Sequence, residues 1–251
     1  MLGADEIEHY HTQGYVVPAF RLEDDVLGEV RGTHDRLLAK YPEFADYCPS
    51  LLAFDTAFLN IARIPAILDM VEQLIGSNFA LWNSSFFAKP APVGTRTPWH
   101  QDGEYWPIRP LATCSVWIAV DEATTENGCL RVIPGSHRRR ELGHHEFNGT
   151  DGLSLPLELR TEEFDEAAAR DITLDAGQVS LHDIFLIHGS EPNRSAVPRR
   201  GMTLRYMPTT SVYRRDLADN RRSGPLSMAE RTLYLMRGTD VSGRNDFRVR
   251  W

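Results

Sequence analysis

Residues 97–103 of the chain read TPWHQDG. Side chains alternate across an extended strand, so His100 and Asp102 project from one face while the residue between them points away. On a helix the same pair would diverge by about 200° and could not bind one ion. Pro98 disfavours a helix, and Gly103 interrupts the run just after the carboxylate. The spacing therefore predicts an extended segment that presents a histidine and an aspartate side by side.

Two residues farther along the chain extend this pattern. His188 stands in the run IHGS at residues 187–190, and Arg199 follows it eleven residues later. Two neutral imidazoles and one carboxylate on one face of a metal suit Fe(II) and leave coordination positions open for substrate and O2. The guanidinium of Arg199 has the shape to hold a carboxylate through two parallel hydrogen bonds. A His-x-Asp spacing alone is common by chance, but with the distal pair it predicts an oxygenase that binds Fe(II) and uses 2-oxoglutarate and O2 as co-substrates.

The composition indicates a chain with one large core and argues against nucleic-acid and membrane partners. The chain has 251 residues, of which 42% are hydrophobic, so it can bury the core of a single domain over residues 1–251. Its net charge of −8 argues against a nucleic-acid partner, because such proteins usually carry a basic surface. No apolar run approaches the roughly 20 residues that span a bilayer, so we expect no membrane partner.

The cysteines and the N-terminus bear on the cellular compartment. The N-terminal residues MLGADE lack the basic and then apolar pattern of a signal peptide. Cys48, Cys114 and Cys129 are an odd number of cysteines, which favours reduced thiols over a disulfide framework. We therefore expect a cytoplasmic protein that acts on a small-molecule substrate, with a homo-oligomer left open.

The distribution of apolar residues predicts helices first and strands afterwards. Residues 1–78 are expected to be mainly helical, with helices over residues 24–41 and 66–75 marked by apolar stripes and by end signals. From residue 79, short apolar and β-branched runs alternate with turn residues, which is typical of a sandwich or barrel. The expected strands of this core, which extends over residues 79–210, are 81–88, 113–120, 129–133, 171–174, 178–181, 184–187 and 201–207.

Two segments show no strand pattern. Residues 135–170 read as a polar surface loop with a short helix around residues 161–170. A lid over the site, mobile around residues 143–153, is one interpretation, and a permanently ordered excursion or a subunit contact is another. The tail over residues 211–251 is rich in arginine, with nine basic and five acidic residues after Tyr213. This pattern indicates a solvated face more than a contact with a partner subunit or an anion.

Other histidines offer rival interpretations of the metal site. His182 and Asp183 are adjacent, so on a strand they face opposite ways and cannot both bind one metal. The run HHE at residues 144–146 lies in the polar loop and is interpreted as solvated. His137, in a Pro-Gly-Ser-His turn, is interpreted as a residue that orders the turn.

The substrate is the part of the function on which the sequence says least. Tyr105 and Trp106 come directly after the predicted metal ligand, which favours a wall of a substrate pocket over simple core packing. The sequence shows no signature of a long apolar groove and no basic cluster suited to the phosphates of coenzyme A. The sequence therefore predicts a small, polar metabolite as the substrate.

The order of these motifs resembles the phytanoyl-CoA dioxygenase family of Fe(II)- and 2-oxoglutarate-dependent oxygenases, which includes ectoine hydroxylase. The resemblance covers roughly residues 5–210, and the tail carries no motif of the family. The motifs that carry it are HYH at 9–11, GYVV at 14–17, HQD at 100–102, PIRP at 107–110, Trp117, NGCL at 127–130, PGSH at 134–137, HGS at 188–190, NRS at 193–195 and PRR at 198–200.

The resemblance implies a fold and a set of roles. The fold is a mainly β structure with flanking α-helices, a double-stranded β-helix of the cupin-like jelly-roll type, with iron between the sheets. Arg199, helped by Ser190, would hold the distal carboxylate of 2-oxoglutarate, and Trp106 falls where ectoine hydroxylase contacts its substrate. The residues assigned to the iron and the co-substrate are His100, Asp102, His188, Arg199, Ser190, Trp117 and Asn83.

The implied reaction hydroxylates an unactivated C–H bond and releases succinate and CO2. Desaturation, epoxidation and cyclisation by the same iron chemistry are alternatives. Halogenation is disfavoured because the family's halogenases replace the iron carboxylate with a small residue, and Asp102 is present. A non-catalytic jelly-roll that binds a small molecule or a structural metal is the alternative from another class, against which the intact triad and Arg199 weigh.

Overall fold

A computed structural model describes residues 1–92, 94–218, 222–223 and 226–250, and for residues 222, 223 and 226 it describes the backbone only. The helices are α1 Ala4–Gln13, α2 Asp24–Lys40, α3 Leu59–Ala62 and α4 Pro65–Ile75. The strands are β1 Tyr15–Val16, β2 Tyr47–Cys48, β3 Phe79–Lys89, β4 Thr97–His100, β5 Ile108–Arg109, β6 Cys114–Ala119, β7 Leu130–Val132, β8 His145–Phe147, β9 Leu157–Leu159, β10 Arg170–Ile172, β11 Val179–Asp183, β12 His188–Ser190, β13 Arg199–Pro208, β14 Val212–Tyr213, β15 Arg222–Ser223, β16 Leu226–Ser227 and β17 Tyr234–Arg237.

Two antiparallel sheets form the centre of the molecule. The larger sheet has the order β1-β11-β6-β13-β3-β17, with β2 also paired to β3, and the smaller sheet has the order β10-β7-β12-β4. Side chains from both sheets share one core, in which Trp117 of β6 packs with Leu130 and Val132 of β7. This arrangement is the double-stranded β-helix, and the prediction of a mainly β, cupin-like jelly-roll with flanking helices is confirmed.

Strand β13 separates the helical layer from the interior of the jelly-roll. Its even-numbered residues Met202 and Leu204 pack in one core with Leu27 and Val30 of α2 and with Val71 of α4. Burial of each such aliphatic side chain stabilises the fold by about 1.5–3 kcal/mol. Because side chains alternate along a strand, its odd-numbered residues face the space between the two sheets. The helices therefore cover one face of the large sheet and leave the other for a site.

Most of the predicted elements are confirmed, but the strand predicted over residues 184–187 is wrong. There the chain turns, with the Phe185 amide donating to the Asp183 carboxylate at 2.8 Å, and β12 begins only at His188. The four residues are buried because they form the corner at which the chain passes from the large sheet to the small one. A buried corner and a buried strand have the same apolar composition, so the pattern could not separate them.

The polar insertion also differs from its prediction. In place of a short helix around residues 161–170, two short 3₁₀ turns lie at Thr161–Glu163 and Glu166–Ala168. Before them, β8 and β9 form an antiparallel hairpin, so the insertion has strands of its own. The hairpin escaped prediction because its strands are only three residues long and half of their residues are polar.

Three further features of the described chain concern its cysteines, the length of its helices and its tail. Cys48, Cys114 and Cys129 are buried and form no disulfide. Within the described ranges, no helix has the length and apolar character needed to cross a bilayer. The Arg-rich tail is described except at residues 219–221, 224–225 and 251, and the part of that prediction that falls on those residues lies outside the described chain.

Candidate metal centre and adjoining cavity

His100, Asp102 and His188 form a compact buried cluster between the sheets. One ligand atom from each lies within 4.8 Å of the others. The His100 Nε2 atom is 3.7 Å from Asp102 Oδ1, and the His188 Nε2 atom is 4.0 Å from the same oxygen. The three side chains therefore converge on one point, as the sequence predicts.

The backbone explains this convergence. His100 is the last residue of β4, and it pairs across the small sheet with His188, the first residue of β12. Asp102 lies just beyond the strand, at the start of a 3₁₀ turn, but Gln101 keeps an extended conformation with φ −117° and ψ 130°. The alternation predicted for a strand thus continues for one residue past its end, and Asp102 points the same way as His100.

Backbone carbonyls determine which ring nitrogens can bind a metal. The Nδ1 atom of His100 is 2.8 Å from the Pro98 oxygen, and the Nδ1 atom of His188 is 2.9 Å from the Leu186 oxygen. A carbonyl oxygen only accepts hydrogen bonds, so each Nδ1 carries the proton, and in the neutral ring each Nε2 keeps a free lone pair. Burial, together with the nearby His100, lowers the pKa of His188 well below its ordinary value. Both rings are therefore oriented as metal ligands.

Two further side chains hold the Asp102 carboxylate. The Ser115 hydroxyl donates to Oδ2 at 3.3 Å, and His182 Nε2 lies 3.6 Å from the same oxygen. Burial alone would raise the pKa of Asp102, but its contacts with His100 and His182 outweigh burial and hold the pKa well below the usual range. The sequence analysis considered His182 only as a rival metal ligand and did not single out Ser115. The two residues lie on β11 and β6 and meet Asp102 only when these strands pair.

Arg199 lines the pocket that contains the cluster, and it is only 2% exposed. Its Nε and Nη2 atoms donate to the Gly128 oxygen at 3.1 and 2.8 Å, and Nη1 donates to the Phe87 oxygen at 2.7 Å. Trp117 stacks under the guanidinium at 5.3 Å. Three of the five N–H donors are thus used, which leaves one donor on each terminal nitrogen.

No carboxylate pairs with Arg199 in the described chain, and burial lowers its pKa to about 10. A cation that is buried without a partner is costly unless a ligand supplies the counter-charge. With its two remaining donors on adjacent nitrogens, Arg199 can take a carboxylate in the bidentate manner. Ser190, also predicted to contact the co-substrate, lines the same pocket.

The other predicted residues line a second, larger cavity of about 660 Å³. Tyr105 and Trp106 both form part of its wall, and the Tyr105 hydroxyl donates to the Leu157 oxygen at 2.9 Å. Asn83 also lines this cavity and not the pocket of Arg199, and its amide donates to Ser85 Oγ at 3.3 Å. A role of Asn83 in co-substrate binding stays a prediction.

The polar insertion packs directly against the cluster. The Gln101 backbone N–H donates to His145 Nε2 at 3.1 Å. The Gln101 side chain donates to the Glu141 oxygen and accepts from the Gly143 backbone N–H. Arg96 forms an ion pair with Glu158 of β9 at 2.7 Å. His145, interpreted from the sequence as solvated, is therefore half-buried against the backbone between His100 and Asp102.

The other two histidines that competed for a role lie away from the cluster. His137 donates from Nε2 to the His11 oxygen at 3.0 Å and so joins its turn to the end of α1. His144 is exposed, with Nε2 3.8 Å from Glu146 Oε1.

Comparison with known proteins gives the chain a family context. The profile of the family described as phytanoyl-CoA dioxygenase (PhyH) matches residues 5–201. A probable phytanoyl-CoA dioxygenase of Caenorhabditis elegans is 29% identical over 180 residues, which cover 68% of this chain and 55% of that protein. A probable alpha-ketoglutarate-dependent hypophosphite dioxygenase of Stutzerimonas stutzeri is 31% identical over 156 residues, which cover 62% of this chain and 54% of that protein.

The solved structure of a non-heme monooxygenase, ThoJ, superimposes with a TM-score of 0.76 at 27% identity, over 98% of this chain and 88% of that one. The chain spans about half the length of the first curated relatives that it matches.

Proposed function

The chain belongs to the phytanoyl-CoA dioxygenase family, and on that premise we propose that it is an Fe(II)- and 2-oxoglutarate-dependent dioxygenase. It hydroxylates an unactivated C–H bond of a small metabolite and releases succinate and CO2. The observation that carries the proposal is the buried cluster of His100, Asp102 and His188, with Arg199 in the same pocket and no carboxylate paired with it among the described residues.

The donor set fits ferrous iron. Two imidazole nitrogens with free lone pairs and one ionised carboxylate suit Fe(II) and leave positions for co-substrates. Fe(II), when bound, supplies O2 activation coupled to the oxidative decarboxylation of 2-oxoglutarate. Ser115 and His182 hold Asp102 in the orientation that the cluster needs, in the way outer groups orient metal ligands in other proteins.

Arg199 anchors the co-substrate at the far end of the pocket. Its two remaining donors bind the distal carboxylate, while Ser190 adds a hydroxyl and Trp117 closes one side. This contact fixes the 2-oxo acid end toward the cluster, because the guanidinium itself is held by the Gly128 and Phe87 carbonyls. The low exposure of all these side chains keeps bulk water away from the reaction.

Anaerobic titration tests the proposal. Purified protein with Fe(II) and 2-oxoglutarate should develop the visible absorption band of a 2-oxo acid chelated to ferrous iron, and on exposure to air it should convert 2-oxoglutarate to succinate. The Asp102→Ala protein is the comparison, because it lacks the carboxylate ligand. Absence of both the band and succinate from the wild-type protein would refute the proposal and leave a non-catalytic jelly-roll.

The domain organisation, the cellular compartment and the partners are proposed on the same basis. Residues 1–251 act as one oxygenase domain in the cytoplasm, with a small molecule as substrate and without a nucleic-acid or membrane partner. Three buried, unpaired cysteines support a reducing compartment. Size-exclusion chromatography with light scattering determines whether the chain forms a homo-oligomer.

A further inference from the structure

The cavity beside the metal cluster has the character of a binding site for an organic molecule. It shares Phe87, Asp102 and Arg205 with the pocket of Arg199, so its contents lie next to the cluster. Much of the remaining wall is aromatic or aliphatic, including Phe44, Tyr47, Tyr105, Trp106 and Leu157. Its volume of about 660 Å³ is within the usual range for small-molecule sites.

Arg205 brings a charge into this apolar space. The residue is 5% exposed, and its guanidinium lies 5.1 Å from the Trp106 ring and 5.7 Å from the Phe87 ring. Its Nη1 atom donates to Ser85 Oγ at 2.6 Å. Its Nε atom is buried and has no hydrogen-bond partner among the described residues. The two aromatic rings therefore hold the guanidinium in place, and N–H donors of Arg205 remain that can bind a ligand.

Arg231 brings a second charge to the same cavity. It is 6% exposed, lies 5.4 Å from the Trp82 ring, and reaches the Pro49 oxygen with Nη2 at 3.5 Å. Its buried Nε atom, like that of Arg205, has no partner in the described chain. Burial lowers the pKa of Arg231, and the neighbouring charge of Arg205 adds to the shift. The Pro49 oxygen also accepts from the Ser85 hydroxyl at 3.3 Å, which links the two arginines through one small network.

Among the described residues, Asp102 attracts Arg205 electrostatically, but it forms no direct ion pair with it. In the described parts of the chain no carboxylate lies within ion-pair distance of either guanidinium, and the acids that line the cavity are Asp102 and Glu43. Asp102 belongs to the metal cluster, and Glu43 is exposed at the rim. Two like charges buried without a partner oppose folding. Such an arrangement is expected where a ligand supplies the missing negative charge.

The position of Arg205 on its strand separates it from the co-substrate site. Arg199 and Arg205 are six residues apart on β13, so they point to the same side at a separation of about 20 Å along the strand. Arg199 lies outside the larger cavity, whereas Arg205 lines both spaces. One strand thus presents a cation at each end of the site, with the metal cluster opposite.

We propose that the primary substrate is an organic anion whose carboxylate, phosphonate or sulfonate group binds between Arg205 and Arg231. Its apolar or ring-bearing body lies against Tyr105 and Trp106, which brings a C–H bond toward the metal cluster. The reaction that follows rests on the proposed function, but the binding of the anion does not. The small polar metabolite expected from the sequence is thereby narrowed to a molecule with one anionic end and one apolar end.

Thermal unfolding of the metal-free protein tests this binding independently of catalysis. The probes are phenylacetate and phenylphosphonate, with phenylacetamide as the neutral match and benzylamine as the cationic one. We expect the two anions to raise Tm by several degrees at millimolar concentration, and the neutral and cationic compounds to leave it within about 1 °C. Equal shifts with phenylacetate and phenylacetamide would overturn the proposal.

Four variants assign the site. The Arg205→Met and Arg231→Met proteins should lose the anion-dependent shift, and their Tm without ligand should not fall, because each removes an uncompensated buried charge. Arg199→Met should keep the shift, which shows that the probes are not in the co-substrate pocket. Arg214→Met should also keep it and is the general control, because Arg214 is half-buried and paired with Asp216. A shift that survives in Arg205→Met and Arg231→Met but disappears in Arg199→Met would also overturn the proposal. If either Met protein fails to fold, the comparison of charged and neutral probes is made on Arg199→Met: an anion-specific shift that persists there supports the proposal, and its loss overturns it. A failure of the proposed function would be seen separately, as the absence of the Fe(II)–2-oxoglutarate band.

Discussion

At the scale of single residues, the properties of the site come from hydrogen bonds that leave selected atoms free. The Pro98 and Leu186 carbonyls occupy one nitrogen of each histidine, and the Gly128 and Phe87 carbonyls occupy one side of Arg199. In each case the remaining donors or lone pairs point into the pocket. The backbone thus orients the reactive atoms before any ligand is present, which lowers the entropy lost on binding.

The first prediction concerns the three proposed metal ligands. Replacing His188 with Ala should reduce succinate formation by more than ~100-fold and abolish stoichiometric Fe(II) binding, because changes to outer groups alone cost about 10–100-fold. Near-UV circular dichroism should show that the fold is kept. The His182→Asn protein is the matched control, since His182 contacts Asp102 but lies outside the cluster. Near-wild-type turnover in His188→Ala would contradict the assignment.

The second prediction separates two neighbouring arginines. Arg199→Ala should raise the KM for 2-oxoglutarate by tens- to thousands-fold, because loss of a buried charge-assisted pair costs about 2–5 kcal/mol. Arg200→Ala should change the KM by no more than a few-fold, since Arg200 pairs with Asp121 and Asp35 away from the pocket. Steady-state kinetics of both proteins, with Fe(II) affinity as the control, give the result. A large effect in Arg200→Ala and none in Arg199→Ala would reverse the roles.

At the scale of elements, β13 organises the site because one of its faces packs against the helices and the other lines the pocket. Even-numbered residues hold the helices, and the odd-numbered Arg199, Thr203 and Arg205 line the pocket. The strand pairs with β3 along its whole length and with β6 over six residues, so its register is held on both sides. A slip of one residue would exchange the two faces and destroy the core and the site together.

A third prediction follows from the position of Gly201 on this strand. A Cβ atom there would lie 2.2 Å from Trp117 Cζ2, on the ring that stacks under Arg199. Gly201→Ala should therefore lower the free energy of unfolding by about 1–3 kcal/mol and weaken 2-oxoglutarate binding. Gly28→Ala is the matched control: Gly28 lies in α2 with nothing within 4 Å of the added carbon. That variant should gain roughly 0.5–1 kcal/mol, and urea denaturation measures both.

A fourth prediction concerns the insertion over residues 135–170. Its hairpin is held to the body of the protein by the pairs Arg96–Glu158, Thr97–Ser154 and Tyr105–Leu157, and residues 154–157 line the larger cavity. Ligands in that cavity should stabilise the closed position, as a lid requires. We expect proteases to cleave near residues 143–153 in the ligand-free protein, and Fe(II), 2-oxoglutarate and substrate together to slow cleavage. Equal cleavage rates with and without ligands would indicate a permanently ordered excursion.

At the scale of the whole molecule, the site exists only where the two sheets face each other. The proposed metal ligands come from β4, β12 and the turn after β4, whereas Arg199 and Arg205 come from the large sheet. The tail completes the cavity with Met228 and Arg231, just before β17 joins the edge of the large sheet at β3. Ligands that bridge the two sheets should therefore stabilise the fold as a whole.

The fifth prediction applies that coupling to stability. Added to the Fe(II)-loaded protein, 2-oxoglutarate at about 100 times its dissociation constant should add about 2.7 kcal/mol to the free energy of unfolding. For a chain of this size 1 kcal/mol corresponds to about 2–4 °C in Tm, so anaerobic calorimetry should show a rise of roughly 5–11 °C. Chelation of the metal should reverse the rise. The His188→Ala protein should show almost none of it, and a full rise in that variant would place the metal elsewhere.

The features that could be predicted from the amino-acid sequence are those with a local physical cause. Local patterns predict the shared direction of His100 and Asp102, the apolar stripes of α2 and α4, and most strands. These patterns are the periodic spacing of side chains along helices and strands and the positions of turn residues. The family resemblance, which the profile match confirms, rests on the same ordered motifs.

Only the tertiary structure decided which distant residues meet. Ser115 and His182 reach Asp102 through strand pairing, and the apolar run at residues 184–187 is a corner because the chain changes sheets there. Arg231 approaches Pro49 across 182 residues of sequence, in a tail without any motif. Contacts between residues so far apart in the sequence depend on how the sheets and the tail pack together. No local pattern of charge or hydrophobicity encodes that packing.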